Sequence, residues 1–283
     1  MTQAPRLLAK GLQFPEAPIF DTNGQLWCAE LENGCITRIG ENGRLDRYEV
    51  GGRPSGIALG CDGYFWYCDA HRNQIRVFCS KSGDSWAAAG SADGRDLDAP
   101  NDLAFDSFGN LVFSCHNQAR ELATGYIAVL RPSGECSKAA TSLQFPNGIA
   151  FGLDGKVLFV AETYKQRVLR GQWHDVTGCW QLSGEVMQTP GPNGPDGLAL
   201  DTLGNVYTAV YGAGCIMATT PDGVTKIPVD GRCPTNCAFD PAGELGLVFT
   251  EAETGTVASI FQTTRGLPLH LARKNFWGRH AAT

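Results

Sequence analysis

Six residues, each directly after a proline, have the types and spacing to do chemistry: Glu16, Ser55, Asn101, Asn147, Asp196 and Thr235. They recur at intervals of 39, 46, 46, 49 and 39 residues. Every one carries a side-chain oxygen, and none is apolar, basic or sulfur-bearing. That is the donor set of a hard cation such as calcium, magnesium or manganese. Glu16 and Asp196 bring enough negative charge to hold a divalent ion and still leave it net positive. The amides of Asn101 and Asn147 add oxygens without repulsion. A plainer reading competes: proline, a small polar residue and glycine are ordinary turn chemistry. Five of the six residues suit a turn, and Glu16 does not. The pattern by itself leaves both readings open.

The elements that would have to position these residues are hairpins. The prolyl segments FPEAPIF, RPSGIAL, APNDLAF, FPNGIAF, GPDGLAL and CPTNCAF are each followed by a glycine-containing turn, from DTNGQ to DPAGE. A second apolar run follows each turn: LWCAE, FWYCD, LVFSC, VLFVAE, VYTAV and LGLVFTE. Short runs rich in β-branched and aromatic residues, bounded by Asp-Gly or Gly-Asn turns, read as paired strands. A period in the forties with room for four strands per unit predicts a β-propeller. The expected fold is therefore all-β: one six-bladed propeller across residues 1–283, with hairpins beginning near residues 15, 54, 100, 146, 195 and 234. A two-sheet sandwich does not explain six matching hairpins. The segment RLLAKGLQ is expected to supply the outer strand of the last blade and close the ring. The first strand of each blade would line the central channel, so the six repeat positions would form a ring at one end of it.

The second strand of each unit returns to that same end. Acids recur there in four units, as Glu30, Asp69, Glu162 and Glu251, which favours a structural role in tying loops. His71 and His116 are not repeated, so they are the better candidates for substrate contact. The polar loop HNQARELATG adds Asn117, Arg120 and Glu121. Composition narrows the partners. A net charge of −6 with a pI near 5.4 argues against nucleic acid. No run of about 18 apolar residues suggests a membrane span. MTQAPRLLAKGLQF lacks the apolar core of a secretion signal. The eleven cysteines are scattered singly, without metal-site or paired spacing, and many fall within strand-like runs. They read as buried, reduced thiols in a cytoplasmic protein.

Four of these segments, FPEAPIF, PNDLAFD, FPNGIAFGLDGKVLFVAET and GPDGLALD, resemble the gluconolactonase/regucalcin (senescence marker protein)/luciferin-regenerating enzyme family. The resemblance implies a six-bladed propeller with one divalent metal ion (calcium, magnesium, manganese or zinc) at the top of the channel. It implies Glu16, Asn147 and Asp196 as metal ligands, Asn101 as a contact to substrate or to the metal's water, and Asp196 as catalytic base. The implied reaction is hydrolysis of a small lactone whose carbonyl the metal polarises. Ala99 stands where the regucalcin branch carries an arginine, so a contact to a polyhydroxy substrate is missing. DAHRNQIRVF looks more like the bacterial lactonases of the family. Three rivals remain. Diisopropylfluorophosphatase-like hydrolysis would use the same metal site. A non-catalytic propeller would bind only metal or a protein partner. Strictosidine-synthase-like chemistry is metal-free, and the full ligand set speaks against it. The expected partner is a small lactone, with no nucleic acid and no membrane; the sequence leaves open the lactone, the metal, whether Asp196 or the metal activates the water, and the oligomeric state.

Overall fold

Burial falls outward along each hairpin series, and that gradient locates the channel. In the first unit the strand Pro15–Phe20 is buried at every residue, Leu26–Glu30 likewise, Cys35–Ile39 nearly so, and Leu45–Glu49 is half-exposed. The computed structural model describes residues 4–118 and 120–271, and these form six four-stranded antiparallel sheets. The innermost strands are Pro15–Phe20, Pro54–Leu59, Pro100–Phe105, Pro146–Phe151, Gly194–Leu200 and Pro234–Phe239, defining blades 1 to 6 in chain order. Each packs against the innermost strand of the next blade, and that of blade 6 packs back onto blade 1. The expected closure is present: Arg6–Lys10 pairs antiparallel with Thr256–Ile260 as the outer strand of blade 6. Two single-turn 3₁₀ segments, Glu41–Gly43 and Thr163–Lys165, are the only helical pieces among the described residues. No helix there is long and apolar enough to cross a membrane.

At the end away from the prolines, aspartates shape the hairpin turns. Asp21 accepts hydrogen bonds from the Asn23 and Gln25 amides and from Trp27 Nε1. Asp106, Asp201 and Asp240 accept from turn amides in the same manner. This is the Asx geometry that the D-x-x-G turns encode.

At the proline end the sheets depart from regular pairing. In every blade the innermost strand carries one more residue than its partner just after the proline: Glu16 pairs with Ala29 and then Ile19 with Trp27, and the other five blades shift alike. A one-residue bulge bends the strand and re-aims the side chains around it. The glycines of the P-x-G segments have a related cause. Gly56, Gly148 and Gly197 lie inside strands with ordinary φ, so they are not turn residues. A Cβ on Gly148 would collide with the backbone of Asp196 and Gly197, and one on Gly197 with the Asn236 side chain. The blades meet there backbone to backbone. None of the eleven cysteines is in a disulfide, and Cys28, Cys68, Cys115, Cys215 and Cys237 are buried strand residues.

Candidate metal centre

The ring of six divides into two kinds of residue. Ser55 Oγ donates to the Asn101 carbonyl of the next blade at 2.7 Å, and Thr235 Oγ1 donates to the Pro15 carbonyl at 2.6 Å. Ser114 and Thr163 make equivalent bonds to the Asn147 and Pro195 carbonyls. Hydroxyls at these places staple one blade to the next, because the bulge strips carbonyls of their ladder partners. Ser55 and Thr235, counted among the oxygen donors from their spacing alone, are thus engaged in blade docking. Glu16, Asn101, Asn147 and Asp196 remain.

Glu16, Asn147 and Asp196 are 7%, 5% and 7% exposed. The Asn147 side chain sits close enough to the Asp196 carboxylate to favour its charged form. Burial, then the charges of Asp196 and Asp102, pushes the Glu16 carboxyl well above its ordinary value. Burial and then Asp102 do the same to Asp196, against the opposing pull of Asn147. No ion pair among the described residues neutralises any of these acids. Buried like charges without a counterion are costly, and they are the usual setting of a bound cation. The available donors are carboxylate and amide oxygens. Among the described residues no group of three or more His, Cys, Asp or Glu side chains is placed to hold a metal ion. An all-oxygen set of two acids and neighbouring amides fits a hard cation better than zinc, which favours nitrogen and sulfur.

Asp102 was not among the residues singled out from the sequence. It is 7% exposed, with its carboxyl pushed up to about 6 by burial. Its Oδ1 accepts from the Leu103 amide at 2.9 Å and its Oδ2 from the Ile149 amide of blade 4 at 3.0 Å. The signal was present: the residue two after the proline is Ala17, Gly56, Asp102, Gly148, Gly197 or Asn236, and only blade 3 has an acid there.

The remaining sequence candidates separate by position. Asn101 is half-buried beside the ring. Glu30, Asp69, Glu162 and Glu251 are buried and tie loops as expected; Glu30, for instance, accepts from the Gln13 amide, Asn33, Thr37 and Arg47. His71 is exposed and its amide donates to Asp69 Oδ1. Glu121 is exposed on its loop. His116 is half-buried and lies flat on Phe145, with ring centroids 4.0 Å apart and planes at 8°. Its Nδ1 accepts from the Gln118 amide, which leaves Nε2 as the protonated nitrogen of the neutral ring. Burial and then Arg120 push its pKa down to about 4. The His116 imidazole signals are therefore expected to stay constant in an NMR titration from about pH 7 to about pH 5, where an ordinary histidine changes charge. A midpoint near the ordinary value would refute this packing. The folded form resists a proton that the unfolded chain takes up, so this residue's contribution to stability is lost as pH falls from the unfolded value towards the folded one.

The channel mouth also holds strained backbone. Phe14, Ala99 and Phe145, each immediately before a blade's first proline, have φ of 53°, 49° and 56°. Phe14 stacks on Tyr211, with centroids 6.2 Å apart. Burial, the neighbouring Cys233 thiol, and the charges of Asp196 and Glu16 raise the Tyr211 hydroxyl, so Tyr211 borders the acids and stays neutral.

The sequence pattern of the SMP-30/gluconolactonase/LRE-like region matches residues 55–253. The chain belongs to this family. Asn101, Asn147 and Asp196 lie within the matched region of this SMP-30/gluconolactonase/LRE-like protein, and Glu16 lies before it. The chain is 28% identical to the diisopropyl-fluorophosphatase of Loligo vulgaris, covering 86% of this chain and 87% of that protein. It is 27% identical to the pentonolactonase XacC of Haloferax volcanii, covering 70% of each. Its fold superposes on the calcium-binding protein regucalcin of Agrobacterium tumefaciens with a TM-score of 0.81 at 20% identity, over 95% of this chain and 97% of that one.

Proposed function

We propose that this protein hydrolyses a lactone with the help of one divalent cation held by Glu16, Asn147 and Asp196. The observation that carries the reading is the group of buried acids at one end of the channel, all raised by burial and Glu16 and Asp196 also by neighbouring charges, without a countercharge among the described residues. The lactonase relatives supply the reaction class. A bound divalent ion supplies Lewis-acid polarisation of an ester carbonyl.

The chain's own groups do the rest. Asn147, beside the Asp196 carboxylate, orients that carboxylate. Asp196 takes the proton from the attacking water, and Asn101 orients the substrate beside the ring. The leaving alkoxide takes that proton back from Asp196, which regenerates the carboxylate and leaves the open hydroxy acid. His116, a neutral ring, has its Nε2–H available as a hydrogen-bond donor at the mouth. The channel walls exclude bulk water, which strengthens each of these interactions.

A second reading is organophosphate hydrolysis at the same site. It is favoured by the relationship to the squid diisopropyl-fluorophosphatase over most of both chains. A phosphoryl oxygen would take the place of the carbonyl oxygen.

The test is a panel of lactones and one phosphofluoridate, assayed on chelated protein resupplied with calcium, magnesium, manganese or zinc. Lactone opening that is lost on chelation and restored by calcium is the expected result. Phosphofluoridate turnover without lactone turnover would transfer the assignment to the second reading. No turnover of either, with calcium bound, would replace the enzyme by a metal-binding propeller.

A further inference from the structure

Phe14 and Phe145 hold large rings on backbone that glycine would occupy without strain. Their left-handed φ of 53° and 56° is uncommon for bulky residues. Such a conformation is strained for a bulky residue and persists where surrounding structure or function demands it. Both residues precede a ring position, Glu16 and Asn147, and both are half-buried. Blades 1 and 4 lie opposite each other in a ring of six, so the two phenylalanines flank the mouth from opposite sides.

Each ring has aromatic neighbours. Phe14 stacks on Tyr211, whose hydroxyl feels the charges of Asp196 and Glu16. Phe145 lies between His116, flat against it, and Tyr164, edge-on at 4.9 Å. Arg120 covers Tyr164 at 5.5 Å. Two positions beside the ring that could offer a free polar group to sugar hydroxyls do not. Ala99 is 1% exposed, with its amide bonded to Asn73 and its carbonyl to the His116 amide. Arg53, which precedes the ring position of blade 2, is paired with Glu32 at 2.6 Å.

We propose that Phe14, Phe145, Tyr211 and His116 form an aromatic collar over the metal centre that selects lactones bearing an aromatic or apolar substituent over polyhydroxylated sugar lactones. The proposal rests on the lactonase reading and names its substrate class. A phenyl substituent seated between such rings gains roughly 1–2 kcal/mol from stacking and burial, or about 10-fold in affinity. A polyhydroxylated ring would instead leave hydroxyls desolvated against apolar faces, which costs more than the contact returns.

The experiment compares kcat/KM for phenyl-substituted δ-valerolactone, unsubstituted δ-valerolactone and D-glucono-δ-lactone on the calcium-loaded protein and on Phe14→Gly and Phe145→Gly. The phenyl-substituted lactone is expected to exceed the unsubstituted one by about 10-fold, and gluconolactone by more. Each glycine variant should lower the phenyl-to-unsubstituted ratio at least about fivefold, mainly through KM, while Tm stays within a few degrees because glycine relieves the left-handed backbone. Gluconolactone as the better substrate, or a ratio unmoved in both variants, would overturn the collar. Binding of phenyl-substituted δ-valerolactam by calorimetry separates the two levels. If no lactone is opened, lactam binding that weakens in both variants keeps the collar and removes only the lactonase reading. A lactam that does not bind the parent protein removes the collar.

Discussion

Asp196→Asn is expected to lower lactone hydrolysis by at least about 100-fold, the usual cost of losing a general base and equivalent to about 3 kcal/mol of transition-state stabilisation. The substitution keeps the side-chain volume and one oxygen towards the ring but removes the proton acceptor and one negative charge. A merely structural role for Asp196 predicts loss of folding as well. The geometry predicts the reverse for the metal-free protein. Asp196 is buried, close to the charges of Asp102 and Glu16, and its carboxyl is raised. Removing that charge relieves repulsion, so the metal-free variant should melt above the metal-free parent at about pH 8. Lower turnover, weaker calcium binding and a higher metal-free Tm therefore belong together. Asn101→Ala offers the contrast: a lower kcat/KM with calcium affinity retained. Full activity in Asp196→Asn would eliminate Asp196 as the base. If neither variant changed the hydrolysis of any lactone, a binding propeller would be the better reading.

Calcium should raise the melting temperature on the order of 10 °C when present at about 1,000 times its dissociation constant. That excess adds about 4 kcal/mol to the folded state by mass action, at roughly 2–4 °C per kcal/mol for a chain of this size. The pH dependence follows from the direction of the carboxyl shifts. Glu16, Asp102 and Asp196 have folded values above their unfolded ones. The metal-free native state therefore binds more protons than the unfolded chain. Its penalty from these groups is absent below the unfolded carboxyl values near 4 and grows as pH rises through the folded ones. Metal-free protein should thus lose stability as pH rises from about 4 through about 6, where Asp102 titrates, and further as Glu16 and Asp196 lose their protons, while the calcium-loaded form should lose much less. Glu30, held below its ordinary value through Arg47 and Thr37 against its own burial, acts with the opposite sign and in a more acidic window. It does not mask the trend. Scanning calorimetry with chelator and with added calcium, on the parent and on Glu16→Gln, measures both effects. An unchanged melting temperature with calcium, magnesium, manganese and zinc alike would remove the metal centre.

The sequence determined the blade count, the hairpin order and the closing strand. These rest on local chemistry: short apolar runs, Asp- and Gly-bearing turns at their ends, and a repeat long enough for four strands. It also marked Glu16, because glutamate has no place in a turn signature. Tertiary structure decided what the recurring prolyl motif is for. Read locally, P-x-G looks like a turn, and five of the six ring residues are turn formers. In the fold Gly148 and Gly197 are strand residues, made small by the backbone or side chain of the next blade. Ser55 and Thr235, chemically eligible as cation donors, point their hydroxyl hydrogens at the neighbouring blade's carbonyls. Asp102 stands out in the sequence as the only acid two after a blade's proline, but its partner, the Ile149 amide 47 positions away, is set by the fold. The left-handed backbone of Phe14 and Phe145 and the stacking of His116 likewise have no periodic signature. Alternation and turn chemistry act between residues a few positions apart and can be read along the chain. The partners of a buried polar or aromatic group come from whichever blade packs against it, and only the closed ring assigns them.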